Sequence, residues 1–117
     1  MEKLKCTIVL SDGILNIHLS GVIDHHTVRK VRDEIDSEIY KGVVKQVVLD
    51  FSGVDFMDSS GLGLILGRYT KITDMGGRLT LRGLSDDIMK IIKLSGVEKF
   101  IPIEKPEKPE KPDKVIK

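Results

Sequence analysis

The sequence predicts an α/β domain: a mixed β-sheet with parallel strand–helix–strand crossovers and three to four helices packed against it. Three observations predict it. Two short runs of alternating polarity flank an Asp12-Gly13 pair. A third run, Val47-Val48-Leu49-Asp50-Phe51, is almost wholly apolar. Segments with apolar residues at steps of three and four separate the later runs. Period-two alternation marks a half-buried strand, an unbroken apolar run marks a strand covered on both faces, and steps of three and four mark one face of a helix. Strands and helices in turn imply parallel pairing through right-handed crossovers.

The elements follow in order. Residues 5–10 and 14–19 form a hairpin, because Gly13 accepts the positive φ of a tight turn. Val28, Val31, Ile35 and Ile39 make one helical stripe, with Asp24 or Thr27 as its cap and Gly42 at its end. Residues 47–51 are the central strand. A second helix follows Ser59, with Leu62, Leu66, Tyr69 and Ile72 on one side and Ile65 beside them, stopped by Gly76-Gly77. Residues 78–82 alternate as a strand. Ser85-Asp86-Asp87 opens a third helix carrying Ile88, Ile91 and Ile92, closed by Ser95-Gly96, and a short apolar piece surrounds Phe100 and Ile101.

Composition narrows the function classes. The 117 residues are 40% hydrophobic and 32% charged, with 19 Lys+Arg against 18 Asp+Glu, the size of one domain. A formal net charge of +1 argues against direct binding of nucleic acid. A single Cys excludes an intrachain disulfide and a multi-cysteine zinc site, and fits a reducing compartment. No apolar run reaches the roughly 20 residues that cross a bilayer, and the first residues lack a signal peptide's apolar core, so the expectation is a cytoplasmic protein without a membrane partner. The folded part is expected over residues 1–103. Residues 104–117 repeat Glu-Lys-Pro three times and hold five Lys, four acids and three of the four prolines. Such a stretch buries too little to offset its ordering entropy, and the expectation is a solvated, disordered tail.

One segment departs from core-and-surface patterning: Asp55-Phe56-Met57-Asp58-Ser59-Ser60-Gly61-Leu62-Gly63-Leu64-Ile65-Leu66-Gly67-Arg68, running from the central strand into the second helix. A helix N-terminus offers unpaired N–H groups and the positive end of the macrodipole, so two hydroxyls there lie where an anion is favoured. A purely structural reading makes Ser59 an N-cap and gives Gly61 and Gly63 to close helix–sheet packing. Enzyme readings find less support. The glycine spacing is wrong for a dinucleotide loop, no Lys-Ser or Lys-Thr follows a glycine loop, and Ser59 is not in a G-x-S-x-G elbow. His18, His25 and His26 all precede the serine, the reverse of the α/β-hydrolase order. Asp50, Asp55 and Asp58 are either a cation cluster or capping and solvated acids. His25 and His26, being neighbours, belong to the helix-start surface, and Cys6 to the core.

Asp58-Ser59-Ser60-Gly61-Leu62-Gly63, continuing Leu64-Ile65-Leu66-Gly67-Arg68-Tyr69, resembles the signature of the bacterial anti-sigma factor antagonists, which are STAS-domain proteins. The upstream Leu19-Ser20-Gly21-Val22-Ile23-Asp24-His25-His26-Thr27 is similar to the loop and first helix of the family's sporulation members. The resemblance spans residues 4–103.

What the resemblance implies is a partner switch with no catalytic residue, metal or cofactor in this chain. The unphosphorylated antagonist binds an anti-sigma factor serine kinase and frees the sigma factor it holds. The kinase phosphorylates the first serine of the motif, here Ser59, and a metal-dependent serine phosphatase restores binding. The implied partner-binding residues are Asp24, His25, Asp58, Ser60 and Gly61. Arg68, expected on the more exposed side of its helix, either joins them or stands as a simple surface cation. The family pattern Gly-Glu-Leu-Asp reads Gly21-Val22-Ile23-Asp24 here, so any salt bridge made from position 22 is lost. The alternative is a STAS module that is not phosphorylated and binds a small ligand, a nucleotide or a transporter component.

Overall fold

A computed structural model describes residues 3–41 and 44–104. The expected Gly42 helix stop and the proline-rich tail beyond Glu104 lie outside the described residues. Strand β1 (Leu4–Ser11) turns at Asp12-Gly13 into β2 (Ile14–Ile23), antiparallel to it. Both turn residues have positive φ, 53° and 80°, the signature of a type I′ hairpin turn. After helix α1 (Val28–Lys41) comes β3 (Gln46–Met57), parallel to β2, then α2 (Ser60–Asp74) and β4 (Arg78–Arg82), parallel to β3. Helix α3 (Asp86–Ser95) and a single 3₁₀ turn (Val97–Lys99) lead to Ile103, which bridges in parallel to Leu81. The sheet order is β1-β2-β3-β4, the mixed α/β arrangement expected.

Alternation divides the strands into two faces. Leu15 and Ile17 lie in register with Val47, Leu49, Leu79 and Leu81 on one face, and with Leu19 form a single core with Val31, Ile35, Ile39, Ile65, Ile72, Ile88 and Ile92 of the helices. On the opposite face Asn16, Val48 and Thr80 form one cross-strand row, and His18, Asp50 and Arg82 the next. Val48 is only 2% exposed, but Asp50 on the same face is half-buried beside an exposed His18, so the run at 47–51 is covered on one face and only partly on the other, short of the two-sided cover expected.

Three local outcomes differ from the sequence reading or refine it. The two central strands extend well past residues 19 and 51, and β2 follows β3 through two register shifts, between His18 and Ser20 and between Gly21 and Val22. Gly21 has φ 111°, and a Cβ there would run into the Lys3 carbonyl, so no other residue fits the bend. The buried stripe of α2 is Gly61, Leu64, Ile65, Arg68 and Ile72; Leu66 is exposed, and Leu62 and Tyr69 are half-buried. Finally, α2 ends in a Schellman pattern, with Gly76 N–H on Thr73 O and Gly77 N–H on Ile72 O at 2.8 Å. Of the last apolar piece, Ile101 is buried and Phe100 stands half-exposed with its ring edge on Tyr69.

Candidate functional site

The parallel register of β2 and β3 sets Ile23 beside Met57, so both strands leave the sheet at the same end. Each then runs through an aspartate into a helix. The Asp58 N–H donates to Ile23 O at 3.0 Å, tying the two exits together by their backbones.

At the first exit Asp24 Oδ1 accepts the N–H groups of His26 (2.9 Å) and Thr27 (3.0 Å), and the Asp24 N–H donates to Thr27 Oγ1 (2.9 Å). The Thr27 hydroxyl in turn donates to Val22 O at 2.8 Å. Both candidate caps are therefore used, reciprocally, as in a capping box. Desolvation raises the Asp24 pKa, but the Thr27 and His26 N–H groups, the charge of His26 and the Thr27 hydroxyl outweigh it and hold the carboxyl below the ordinary range. His25 and His26 are exposed, with ring centroids 3.9 Å apart.

At the second exit Asp58 Oδ1 accepts the Ser60 N–H at 2.8 Å, Asp58 O accepts from Gly61 N, and Ser59 O from Leu62 N, both at 3.0 Å. Ser59 has helical angles, φ −64° and ψ −13°, and its side chain makes no cap hydrogen bond. The expected Ser59 cap is thus an Asp58 cap. A residue already in the α conformation at the strand end cannot swing its hydroxyl back over the first free N–H, whereas the preceding carboxylate can. Ser59 is left exposed, its hydroxyl uncommitted to the helix.

The glycines divide. Gly61 is buried, and a Cβ there would collide with the Met57 side chain, so it provides the close packing expected of it. Gly63 has nothing within 4 Å of such a Cβ, and that half of the packing reading fails. Among the remaining expected contacts, Asp24, His25, Asp58, Ser59 and Ser60 converge on this edge, Ser60 half-buried. Gly61 lies beneath them, letting the helix pack closely on Met57.

Arg68 does not join the group. It is 3% exposed, and its Nε lies 2.9 Å from Asp36 Oδ1 of α1. The expectation of an exposed surface cation is overturned because the residue occupies the core stripe of α2, between Ile65 and Ile72. The acids do not form a cation cluster either. Asp50 faces His18 at 3.4 Å and accepts the Ser52 N–H at 2.9 Å, Asp55 is exposed, and Asp58 is capping. Asp58 lies eight residue steps beyond Asp50, roughly 26 Å of extended chain. Cys6 is half-buried at the margin of the core. Burial, with the Glu34 carboxyl 3.3 Å away, pushes its thiol pKa up to about 12.

Sequence reasoning missed Phe56. Met57 turns inward while Phe56, two residues before Asp58 and in register with Val22, is 56% exposed. The apolar side chain at position 22, where the family pattern has Glu, therefore stands beside an exposed aromatic. An inward–outward count from Phe51 does not carry to Phe56, because Val54 is buried and Asp55 exposed, out of step with that alternation.

Two grooves of about 600 Å³ lie elsewhere: one between β1 and α1 includes Cys6, Ile8 and Glu34, and the other, at the far end of the sheet, includes Asp12, Lys45 and Arg78. Neither includes Ser59, Asp58 or Asp24. Among the described residues no helix is long and apolar enough to cross a membrane.

Comparison with known proteins agrees with this geometry. A family model described as the STAS domain matches residues 5–108. An anti-sigma F factor antagonist from Paenibacillus polymyxa is 40% identical over 91 residues, 78% of each chain. The solved structure of the anti-sigma factor antagonist SpoIIAA in its unphosphorylated form is similar at 31% identity and a TM-score of 0.76, over 86% of this chain and 88% of that one. The Bacillus cell fate determinant SpoIIAA in its phosphorylated form is similar at 31% identity and a TM-score of 0.69, over 86% and 91%. A mixed four-stranded sheet with its helices, the two aspartate-capped exits and a match along most of the sequence converge on one assignment: the chain belongs to the STAS-domain family.

Proposed function

We propose that this chain is an anti-sigma factor antagonist whose binding is switched by phosphorylation of Ser59. Unphosphorylated, it binds an anti-sigma factor serine kinase and displaces the sigma factor. The kinase then transfers the ATP γ-phosphoryl group to Ser59 Oγ, which gives up its proton, and binding is lost. Hydrolysis by a metal-dependent serine phosphatase returns the hydroxyl. The chain itself acts as ligand and substrate.

The observation that carries this reading is the exposed Ser59 hydroxyl, free of any cap bond because Asp58 does the capping. A kinase can reach that oxygen without unwinding α2. The phosphate adds about −1.5 to −2 charges at the N-terminus of a 15-residue helix, whose dipole favours it, so the fold tolerates the product. The interface does not. Asp58 is the adjoining residue and Asp24 sits on the next strand's exit, its carboxyl held ionised by the turn around it. A partner surface fitted to a neutral hydroxyl on an edge that carries both carboxylates meets like-charge crowding and a desolvation cost after phosphorylation.

Incubating the chain with its anti-sigma kinase and ATP, then locating the modification by mass spectrometry, tests the assignment. One phosphate on Ser59 is expected. A phosphate at another residue, or none, overturns it and favours a STAS module that binds its ligand without modification.

A further inference from the structure

Arg68 is the single buried charged side chain among the described residues, and it faces Asp36 across the α1–α2 contact. The 2.9 Å between Nε and Oδ1 is a charge contact off the N–H axis: Nε, Nη1 and Asp36 Oδ1 have no hydrogen-bond partner among the described residues. Burial depresses the Arg68 pKa and the Asp36 charge opposes that, with Arg32, Tyr40 and Asp33 of α1 also acting on it. A pair with its cation buried, its acid half-buried and hydrogen bonds unfilled contributes little to stability that a well-packed apolar pair would not match, and the best-attested use of such pairs is to specify one register between helices. Here the two helices are the ones that begin on the site. Helix α1 starts after the Asp24–Thr27 turn, and α2 starts one residue beyond Ser59. The strand ladder fixes where the two exits leave the sheet. It does not fix the tilt and rotation of the helices, and so does not fix the directions in which Ser59 and His25 face.

We propose that Arg68 and Asp36 are positioning residues for the switch: their pairing locks α2 against α1 and thereby orients the Ser59 and Asp24 turns as one recognition surface. The kinase step that reads this surface rests on the reading of Ser59 as the phosphorylated residue; the orientation itself does not.

The test uses the full chain with the pair replaced by apolar residues of similar size, Arg68→Met with Asp36→Leu, and separately Arg68→Lys, which keeps the charge but loses the planar fork. The double variant is expected to melt at or above the native temperature. Its amide exchange over residues 24–27 and 58–61 should quicken at least about fivefold, a local opening below the global one. The KM for phosphorylation at Ser59 should rise about tenfold with kcat within about twofold, the size of effect that coupling between contacting elements supports. Arg68→Lys should shift KM the same way by about threefold. Folded variants with native exchange in both turns and native KM overturn the proposal. If the native chain takes no phosphate at Ser59, the switch reading fails by itself and exchange alone decides on the pair. If the double variant does not fold, Arg68→Lys decides on the same two readouts.

Discussion

At the start of α2, the Asp58 carboxylate accepts the Ser60 N–H while the Ser59 side chain makes no cap bond. The capping residue and the proposed switch residue are therefore different, and stability measurements separate them. Asp58→Ala should cost about 1 kcal/mol of unfolding free energy, the usual loss for a side-chain cap. Ser59→Ala should stay within about 0.5 kcal/mol, as for a surface substitution without a structural role. Urea unfolding of the two variants checks this, and a larger loss from Ser59→Ala would return the cap to the serine. At the other exit the Asp24 carboxyl titrates below its ordinary value of 3.8 in the folded chain. A depressed carboxyl contributes stability that is present above its unfolded pKa and is lost as pH falls through the folded one. The difference in unfolding free energy between the native chain and Asp24→Asn should therefore be flat from pH 7 to about 5. It should shrink below 3.8 and disappear at lower pH still. A difference that grows on acidification would contradict the capping role.

At the scale of elements, the two glycines of α2 make opposite predictions from one helix. A Cβ at Gly61 meets the Met57 side chain, so Gly61→Ala should destabilise by about 1–3 kcal/mol through overpacking. Gly63 faces open space within the helix, so Gly63→Ala should stabilise by about 0.5–1 kcal/mol through helix propensity. Thermal melting of the pair reads the sign directly. The same helix shows where legibility in the sequence stops. The hairpin, α1 and α3 were readable because each places apolar residues at its buried positions, and Ser85 and Gly96 mark the ends of α3 in the expected way, by side-chain cap and positive φ. In α2 two of the five buried positions are Gly61 and Arg68, so the apolar stripe at 62, 66 and 69 outweighed the real one. Nothing near position 68 in the sequence announces Asp36 as its partner, since that contact exists only once two crossovers have laid α2 beside α1. The site was legible as a motif. Which of Asp58 and Ser59 caps was not, because that depends on the backbone angles of one turn, and the exposed Phe56 required knowing that β3 runs on to Met57.

At the scale of the molecule, residues 1–103 hold 14 cations and 14 anions, a balance to which one phosphate adds about two negative charges at a single edge. That edge is where parallel strands deliver both aspartate turns, so a phosphate on Ser59 would join an edge that already carries two carboxylates, each engaged with backbone N–H groups and unable to turn away without uncapping a helix. On the proposed switch the fold would hold still while this edge becomes more negative, which is what partner switching requires. The affinity of the chain for its anti-sigma kinase, measured by calorimetry with Ser59 unmodified and with Ser59 phosphorylated, tests this most directly. The account predicts binding at least about tenfold weaker for the phosphorylated chain, about 1.4 kcal/mol or more, at an unchanged melting temperature. Equal affinities for the two forms would contradict it.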